Sequence, residues 1–242
     1  MSTEILAKPK ILLRRQLQTL AVGALVFFFI APRVFSQQAG ANVGGASLIG
    51  EATVQTNRIE RGITQTNGDP SVAGQAIIHL GPQFTLGIGG GNVRYPSGTE
   101  HLRMHLLAAI NVPVSSSFKF DIIYLLNRYY TAGDRNGNEF GIKFDFSGYT
   151  VAYEQLSNWE NIGKAKYVKA GKLFPINGNW KWEIHGGYIM PEETYSTAFD
   201  VKTGVIMPNG NISYFANITW VSSQNVSYSP SFNFFAGATV NF

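Results

Sequence analysis

The sequence predicts an all-β fold, a transmembrane antiparallel up-and-down β-barrel of about twelve strands. Three observations carry that prediction. Apolar and polar side chains alternate with period two along most of the chain, as they do when a sheet separates an apolar medium from a polar one. Beyond the N-terminal region no eighteen consecutive residues are apolar, which excludes a helical membrane protein. Charged residues make only 14%, while aromatics make 13% and glycines number 26. An ordinary soluble domain carries about 25% charged residues, so much of this surface is not built to face water.

The N-terminus has the layout of an export signal. Lys8, Lys10, Arg14 and Arg15 precede an apolar run from Leu20 to Ala31, which suits a signal-peptide core and is short of the roughly 20 residues a spanning helix needs. Small residues fit for cleavage follow at Val34 with Ser36, or at Ala39-Gly40-Ala41. The expected division is a signal peptide over 1–36, with cleavage as late as 41, and one barrel domain over 37–242. Of 19 basic and 15 acidic side chains, Lys8, Lys10, Arg14, Arg15, Arg33 and Glu4 fall in the first 36 residues, so the remainder is balanced. The net charge of +4 therefore belongs to the leader and gives no support to nucleic-acid binding. With no cysteines, export to an oxidising compartment brings no disulfide framework.

The alternation places strands over 47–61, 71–81, 83–91, 100–112, 118–131 and 138–146, then over 149–157, 166–174, 179–190, 198–207, 211–222 and 231–242. Leu102, Met104, Leu106, Ala108, Ile110 and Val112 share a parity opposite Arg103, His105 and Asn111. Phe118, Phe120, Ile122, Tyr124 and Leu126 oppose Lys119, Asp121 and Asn127, and Phe140, Ile142, Phe144 and Phe146 oppose Glu139, Lys143 and Asp145. The strand over 166–174 has no settled parity, because Lys169 and Lys172 fall on opposite faces. Trp180, Trp182, Ile184 and Tyr188 oppose Lys181, Glu183 and His185, and Phe199, Val201, Val205 and Met207 oppose Asp200 and Lys202. The last strand runs Phe232, Phe234, Ala236, Ala238, Val240, Phe242. Its end at Val240 and Phe242 resembles the C-terminal signal by which bacterial outer-membrane barrels are passed to the barrel-assembly machinery.

Connections alternate between short ones, at Gly81 to Gln83, Ser147-Gly148, Gly178 and Asn209-Gly210, and longer polar ones around Asp69, Pro96, Asp134, Asn161, Glu192 and Tyr228. Short turns at one end and longer loops at the other are the pattern of a barrel in an outer membrane. Closure has a physical cause, since an open sheet edge in lipid leaves unpaired N–H and C=O groups at several kcal/mol apiece. A soluble barrel or sandwich also alternates, but its apolar face needs a shared core, and here that face is unusually aromatic.

The stretch Thr56-Asn57-Arg58-Ile59-Glu60-Arg61-Gly62-Ile63-Thr64-Gln65-Thr66, followed by Asp69-Pro70 and Gly74, resembles the opening of the TorF family, bacterial outer-membrane barrels assigned a porin role. Arg61, Gly62, Gln65, Thr66, Pro70 and Gly74 match that family's pattern. Arg58 stands where the family has tyrosine, and Glu60 where it has an aromatic. Fainter likenesses occur at His185-Gly186-Gly187-Tyr188 and from Asp200 to Gly204. The resemblance implies an outer-membrane protein engaged in transport.

There is no Gly-x-Ser-x-Gly, and no oriented Ser-His-acid set can be read for His79, His101, His105 or His185. His101 and His105 look like a metal pair at helical spacing. On a strand, however, four residues put them about 13 Å apart. Gly87-Ile88-Gly89-Gly90-Gly91 lacks the last glycine of a dinucleotide loop and no helix follows, so these glycines are expected to allow a bend or close approach. The Asn-x-Ser/Thr triplets at Asn211, Asn217 and Asn225 are read as coincidental. No catalytic, cofactor or metal site is expected.

The lumen-lining candidates are Arg103, Lys119, Asp121, Lys143, Asp145, Lys181, Glu183, Asp200 and Lys202. Inward charges must be hydrated or paired. Mixed signs argue for a narrow passage for small polar or zwitterionic solutes rather than an ion-selective ring. The expected role is a porin in the bacterial outer membrane that lets small hydrophilic solutes diffuse passively, with membrane lipid, assembly machinery and solutes as its partners. Two other readings stay open from sequence: a closed-lumen structural or adhesive barrel, and an outer-membrane lipid-modifying enzyme.

Overall fold

A computed structural model describes residues 41–43, 46–95, 98–131, 133–159, 163–192, 197–222 and 231–242. The expected leader over 1–36, and the loop positions Pro96, Asn161, Asn225 and Tyr228, lie outside the described residues. Twelve strands close into one antiparallel barrel: β2 (Ala46–Gln55), β5 (Ser71–Leu80), β6 (Phe84–Asn92), β7 (Leu102–Pro113), β8 (Phe118–Tyr130), β9 (Gly137–Phe146), β10 (Tyr149–Leu156), β11 (Ala165–Pro175), β12 (Lys181–Pro191), β13 (Ala198–Asn209), β14 (Ile212–Val221) and β15 (Ser231–Asn241). A short β1 (Ala41–Val43) and a two-stranded hairpin, β3 (Ile59–Glu60) with β4 (Ile63–Thr64), complete the strands. Among the described residues no helix is long and apolar enough to cross a membrane.

Each strand pairs with its neighbour in sequence, and the barrel closes where β15 meets β2, from Gly237 opposite Gln55 to Asn241 opposite Glu51. The seam runs on past the end of β15. The Phe242 N–H donates to the Gly50 carbonyl at 2.9 Å, and the Gly50 N–H donates to the Phe242 carbonyl at 2.6 Å. Below that point β1 takes over the same edge, pairing Ala41 with Leu48 and Val43 with Ala46. Gly50 is required there, because a Cβ would lie 2.2 Å from the Phe242 ring.

The turns at the terminal end are tight for local reasons. Ser147 and Gly148 have φ of 49° and 82°, the two positive values that a two-residue hairpin turn matched to strand twist demands. Gly81, Gly178 and Gly210 also carry positive φ in turns at this end. At the other end the connections are longer.

Outward positions are the apolar set that the alternation singled out. Leu106, Ile88 and Phe234 are 50%, 48% and 65% exposed, which no soluble protein would sustain along a whole wall. Aromatic rings flank this band. Phe118 with Phe144 and Phe146, and Phe174 with Trp182, gather near the turns; Tyr188 with Phe199 and Trp220 with Phe232 gather near the loops. Such girdles mark the two interfaces of a bilayer. The parity of β11 is resolved: Lys169 points inward and pairs with Glu154 at 2.5 Å, whereas the Lys172 ammonium lies outside, 3.6 Å from the Tyr149 ring centroid.

One expected element is corrected. The strand expected over 47–61 ends at Gln55, and residues 56–70 leave the wall and turn into the lumen. Arg61 and Asn67 adopt φ of 49° and 52° and Gly62 and Gly68 adopt 77° and 81°, so the run after Gln55 turns back on itself, pairing Glu60 with Ile63 as β3 and β4 instead of continuing β2.

Candidate functional site

The inserted hairpin is anchored at its base before it reaches across. The Thr66 hydroxyl donates to the Asp69 carbonyl at 2.6 Å, and the Thr64 hydroxyl donates to Asn57 Oδ1 at 2.6 Å. Gln65 is wholly buried, its side-chain oxygen accepting from the Tyr95 hydroxyl at 2.5 Å. The Arg135 guanidinium caps the Tyr95 ring at 3.8 Å and donates to Glu100 at 2.9 Å. The carbonyl of Pro70 accepts from Asn92 Nδ2 at 3.0 Å where the chain rejoins the wall. On the far flank Ile63 is buried against Leu156, Trp159, Ala165, Tyr167, Ile189 and Ala198, an apolar cluster from β10 to β13 and the loop after β10.

Three contacts carry the tip across the lumen. Glu60 reaches β7, where Arg103 Nη1 donates to Glu60 Oε2 at 2.5 Å, and Arg58 Nη2 holds the other oxygen at 2.6 Å. Arg61 reaches the wall opposite β2, donating from Nη2 to Glu139 of β9 and to Glu154 of β10, the latter at 2.8 Å. Gly62 touches β13 and β14: a Cβ there would lie 2.8 Å from Cβ of Asp200 and 2.9 Å from Cβ of Val221. A hairpin that leaves β2 and touches β7, β9, β10, β13 and β14 spans the full width of the barrel.

The charges form one continuous chain. Arg103 Nε donates to Asn127 Oδ1 at 3.1 Å, Asn127 Nδ2 donates to Glu139 Oε1 at 2.8 Å, and Lys169 Nζ donates to Glu154 Oε1 at 2.5 Å. Burial alone would raise the carboxyl of Glu60, on the hairpin rather than on a spanning strand. The Arg103 and Arg58 guanidiniums outweigh that and hold it well below the usual carboxylate range. Burial opposes the charge of Arg61 too, and Glu139 and Glu154 more than restore it.

A cavity of about 360 Å3 lies against this network, with Glu60, Arg61, Arg103, Glu139, Glu154 and Lys169 on its charged side. Leu107, Ile123 and Leu125 form its apolar side. These three take inward positions on β7 and β8 between the charged ends of those strands.

The nine lumen-lining candidates all take the inward parity, but they do not form one site. Arg103 alone belongs to the hairpin network. Lys119, Asp121, Lys143 and Asp145 make a separate group nearer the turns, with Lys143 Nζ 3.3 Å from Asp121 and 3.1 Å from Asp145, and Lys119 Nζ 3.6 Å from Asp145. Lys202 pairs with Glu183 at 2.7 Å, and Lys181 stands at the start of the same strand as Glu183. Asp200 accepts from the Tyr167 hydroxyl at 2.9 Å and lies 3.4 Å from His185.

Of the motif residues, Arg61 and Gly62 form the hairpin tip, Gln65, Thr66 and Pro70 its base, and Gly74 an outward position of β5 paired with Ala52. Val240 and Phe242 sit on the outward parity at the seam. Residues that the sequence reading left out of the site are Arg58, Glu60, Glu139, Glu154 and Lys169. Glu139 stood on the polar parity, and the turn formers Asn57, Gly62, Asn67-Gly68 and Asp69-Pro70 were the available sign that this segment departs from the wall.

The glycine run has a use that no nucleotide loop explains. Gly89 and Gly91 face inward on β6, where a Cβ would lie 2.6 Å from Nε2 of His105 and 2.8 Å from Nη1 of Arg58. Their missing side chains seat the ring and the guanidinium. The hydroxyl beside His185 is the Tyr167 phenol, 3.0 Å from Nε2, and His79 Nδ1 bonds the Thr85 hydroxyl at 2.9 Å.

No family model matches the chain, and no curated protein is similar to it in sequence. Solved structures are similar in fold. The KdgM porin is 10% identical with a TM-score of 0.56, over 81% of this chain and 99% of that one. A KdgM porin in complex with disordered oligogalacturonate gives 10% identity and 0.54 over the same shares. The NanC porin gives 6% and 0.56, over 80% of this chain and 98% of that one. These likenesses show the fold, a closed antiparallel β-barrel, and they span nearly the whole length of each neighbour.

Proposed function

We propose that this chain is a porin of the bacterial outer membrane, allowing passive diffusion of small hydrophilic solutes through a lumen narrowed by the 56–70 hairpin. The observation that carries the reading is the inward hairpin itself, which sets guanidiniums and carboxylates across the lumen of a closed twelve-stranded barrel whose outside is apolar. Eight strands leave an interior that side chains fill, and sixteen or more leave an aqueous channel. Twelve strands leave room for an inserted hairpin, whose tip with Arg103, Glu139 and Glu154 forms a charged constriction toward the loop end of the lumen. Export through the N-terminal leader, kinship with the TorF barrels, and delivery to the assembly machinery through Val240 and Phe242 belong to the same proposal.

A second reading is a closed structural barrel. It is favoured by one observation: Arg61 ties the hairpin to both Glu139 and Glu154 on the opposite wall. Planar-bilayer recording of the refolded chain decides, with a heat-modifiability gel to show that it folded. Discrete conductance steps support the porin. A folded barrel that never conducts refutes it.

A further inference from the structure

Within the hairpin network, donors and acceptors are not balanced. Glu60 engages Arg58 with Oε1 and Arg103 with Oε2; Glu139 engages Asn127 with Oε1 and Arg61 with Oε2; Glu154 engages Lys169 with Oε1 and Arg61 with Oε2. Every carboxylate oxygen of the three is occupied. The cations are not used up. Arg61 binds through Nε and Nη2, leaving Nη1, Arg103 binds through Nε and Nη1, leaving Nη2, and Lys169 gives Glu154 one of its three N–H groups. All three side chains line the cavity, and Leu107, Ile123 and Leu125 line it as well.

From this imbalance we infer that the cavity beside the hairpin is a binding site for small carboxylates carrying an apolar body, with Arg61, Arg103 and Lys169 as donors and Leu107, Ile123 and Leu125 as the wall for the body. A solute ammonium would compete with donors already in place, since five of the six carboxylate oxygens accept from a cation and the sixth, Glu139 Oε1, from Asn127. A solute carboxylate finds N–H groups with no partner, and charge-assisted bonds of this kind are the stronger sort. Because the opposite wall offers no hydrogen-bond partner from its aliphatic side chains, a polyhydroxylated acid leaves its hydroxyls unpaired there while an apolar acid does not. The volume of about 360 Å3 is at the small end of ligand pockets and fits a single compact molecule. This rests on the porin reading for its role in passage, but binding itself does not require conduction.

The test is calorimetric titration of the refolded full chain with 3-phenylpropionate, its neutral amide, 3-phenylpropylammonium and gluconate. The expected result is saturable binding of one phenylpropionate per chain, at least about tenfold tighter than the amide, the ammonium or gluconate, as the loss of one charge-assisted contact implies. Lys169→Gln should weaken phenylpropionate about tenfold. Leu125→Asn, which removes apolar wall and no charge, should weaken phenylpropionate far more than acetate. Equal affinity for acid and amide, or a Leu125→Asn variant that binds phenylpropionate as the parent does, overturns the site. Conductance recorded on the same preparation separates the two claims. Saturable carboxylate binding in a barrel that never conducts refutes the porin and keeps the site, and a conducting pore indifferent to carboxylates refutes the site and keeps the porin.

Discussion

Replacing Arg61 by glutamine tests whether the hairpin sets the selectivity of the lumen. Around the constriction four cations, Arg58, Arg61, Arg103 and Lys169, face three carboxylates, Glu60, Glu139 and Glu154. The variant removes one cation, so the local balance falls by one unit charge and cations should gain. A unit charge about 7 Å from a passing ion is worth about 0.6 kcal/mol in bulk-water dielectric and about 2.4 kcal/mol at an effective constant near 20. The smaller figure sets the floor. Because the lost charge favours cations and disfavours anions by the same amount, the cation-to-anion permeability ratio should rise at least about sevenfold, measured by reversal potential near 0.01 M salt, where the Debye length is about 30 Å and screening is weak. The double variant Arg61→Gln, Glu139→Gln restores the original balance, so its ratio should return toward that of the parent. A single variant that folds, conducts and keeps the parental ratio refutes the assignment of Arg61 to the constriction.

Gly62→Val forces a β-branched residue to φ near 77° and drives its Cβ into Asp200 and Val221; the strain alone is about 1–3 kcal/mol. Faster amide exchange over 56–70, with the barrel still heat-modifiable, is the expected result. Ile63→Ala empties the apolar cluster around Trp159 and Tyr167, costing about 2–5 kcal/mol of hairpin docking, and should appear as added current noise without loss of the barrel. Gly50→Leu collides with the Phe242 ring, and the yield of folded barrel should drop, whereas the same change at the open position Gly210→Leu should act only through its positive φ of 61°. The Arg103–Glu60 pair is held by a carboxyl whose folded pKa lies below its unfolded value of about 4.3. Its contribution is therefore complete above that value and lost as pH falls through the folded pKa, so hairpin protection should stay flat from pH 8 to about 5 and decline only in stronger acid.

The barrel was legible in the sequence because period two is a one-dimensional signal. Leu102 to Val112 or Phe140 to Phe146 display their outward face without reference to any other strand, and an in-register partner repeats it. The hairpin was not legible as such, because the turn formers Asn57, Gly62 and Asn67-Gly68 mark a departure from the wall without saying where the chain goes. What stops β2 at Gln55 is a set of contacts made far away in sequence: Arg61 with Glu139 and Glu154, 78 and 93 residues on, and Glu60 with Arg103, 43 residues on. The positive φ of Arg61 and Gly62 is what the two-residue turn between Glu60 and Ile63 demands, and a guanidinium held from two strands at once keeps an arginine there. The same limit explains why the inward charges were found by parity while their grouping was not. Which of Lys119, Asp121, Lys143 and Asp145 meet depends on the register between β8 and β9, which sets Lys119 opposite Asp145 and Asp121 opposite Lys143 and which neither strand displays alone.

The hairpin also answers a question that the composition raises. A barrel without cysteines must hold mixed charges inside a wall that excludes water from one side, and each unpaired inward charge is destabilising. Pairing along the wall alone would satisfy them, as Lys202 with Glu183 shows. Toward the loop end the sequence instead brings three charges, Arg58, Glu60 and Arg61, from the hairpin to three partners on β7, β9 and β10, Arg103, Glu139 and Glu154, with Lys169 of β11 held to Glu154. The hairpin satisfies the carboxylates of the wall and adds one guanidinium more than they need. Stability and selectivity then depend on the same side chains, so a substitution that leaves the network balanced should move conductance little, and one that unbalances it should move folding yield and ion preference together.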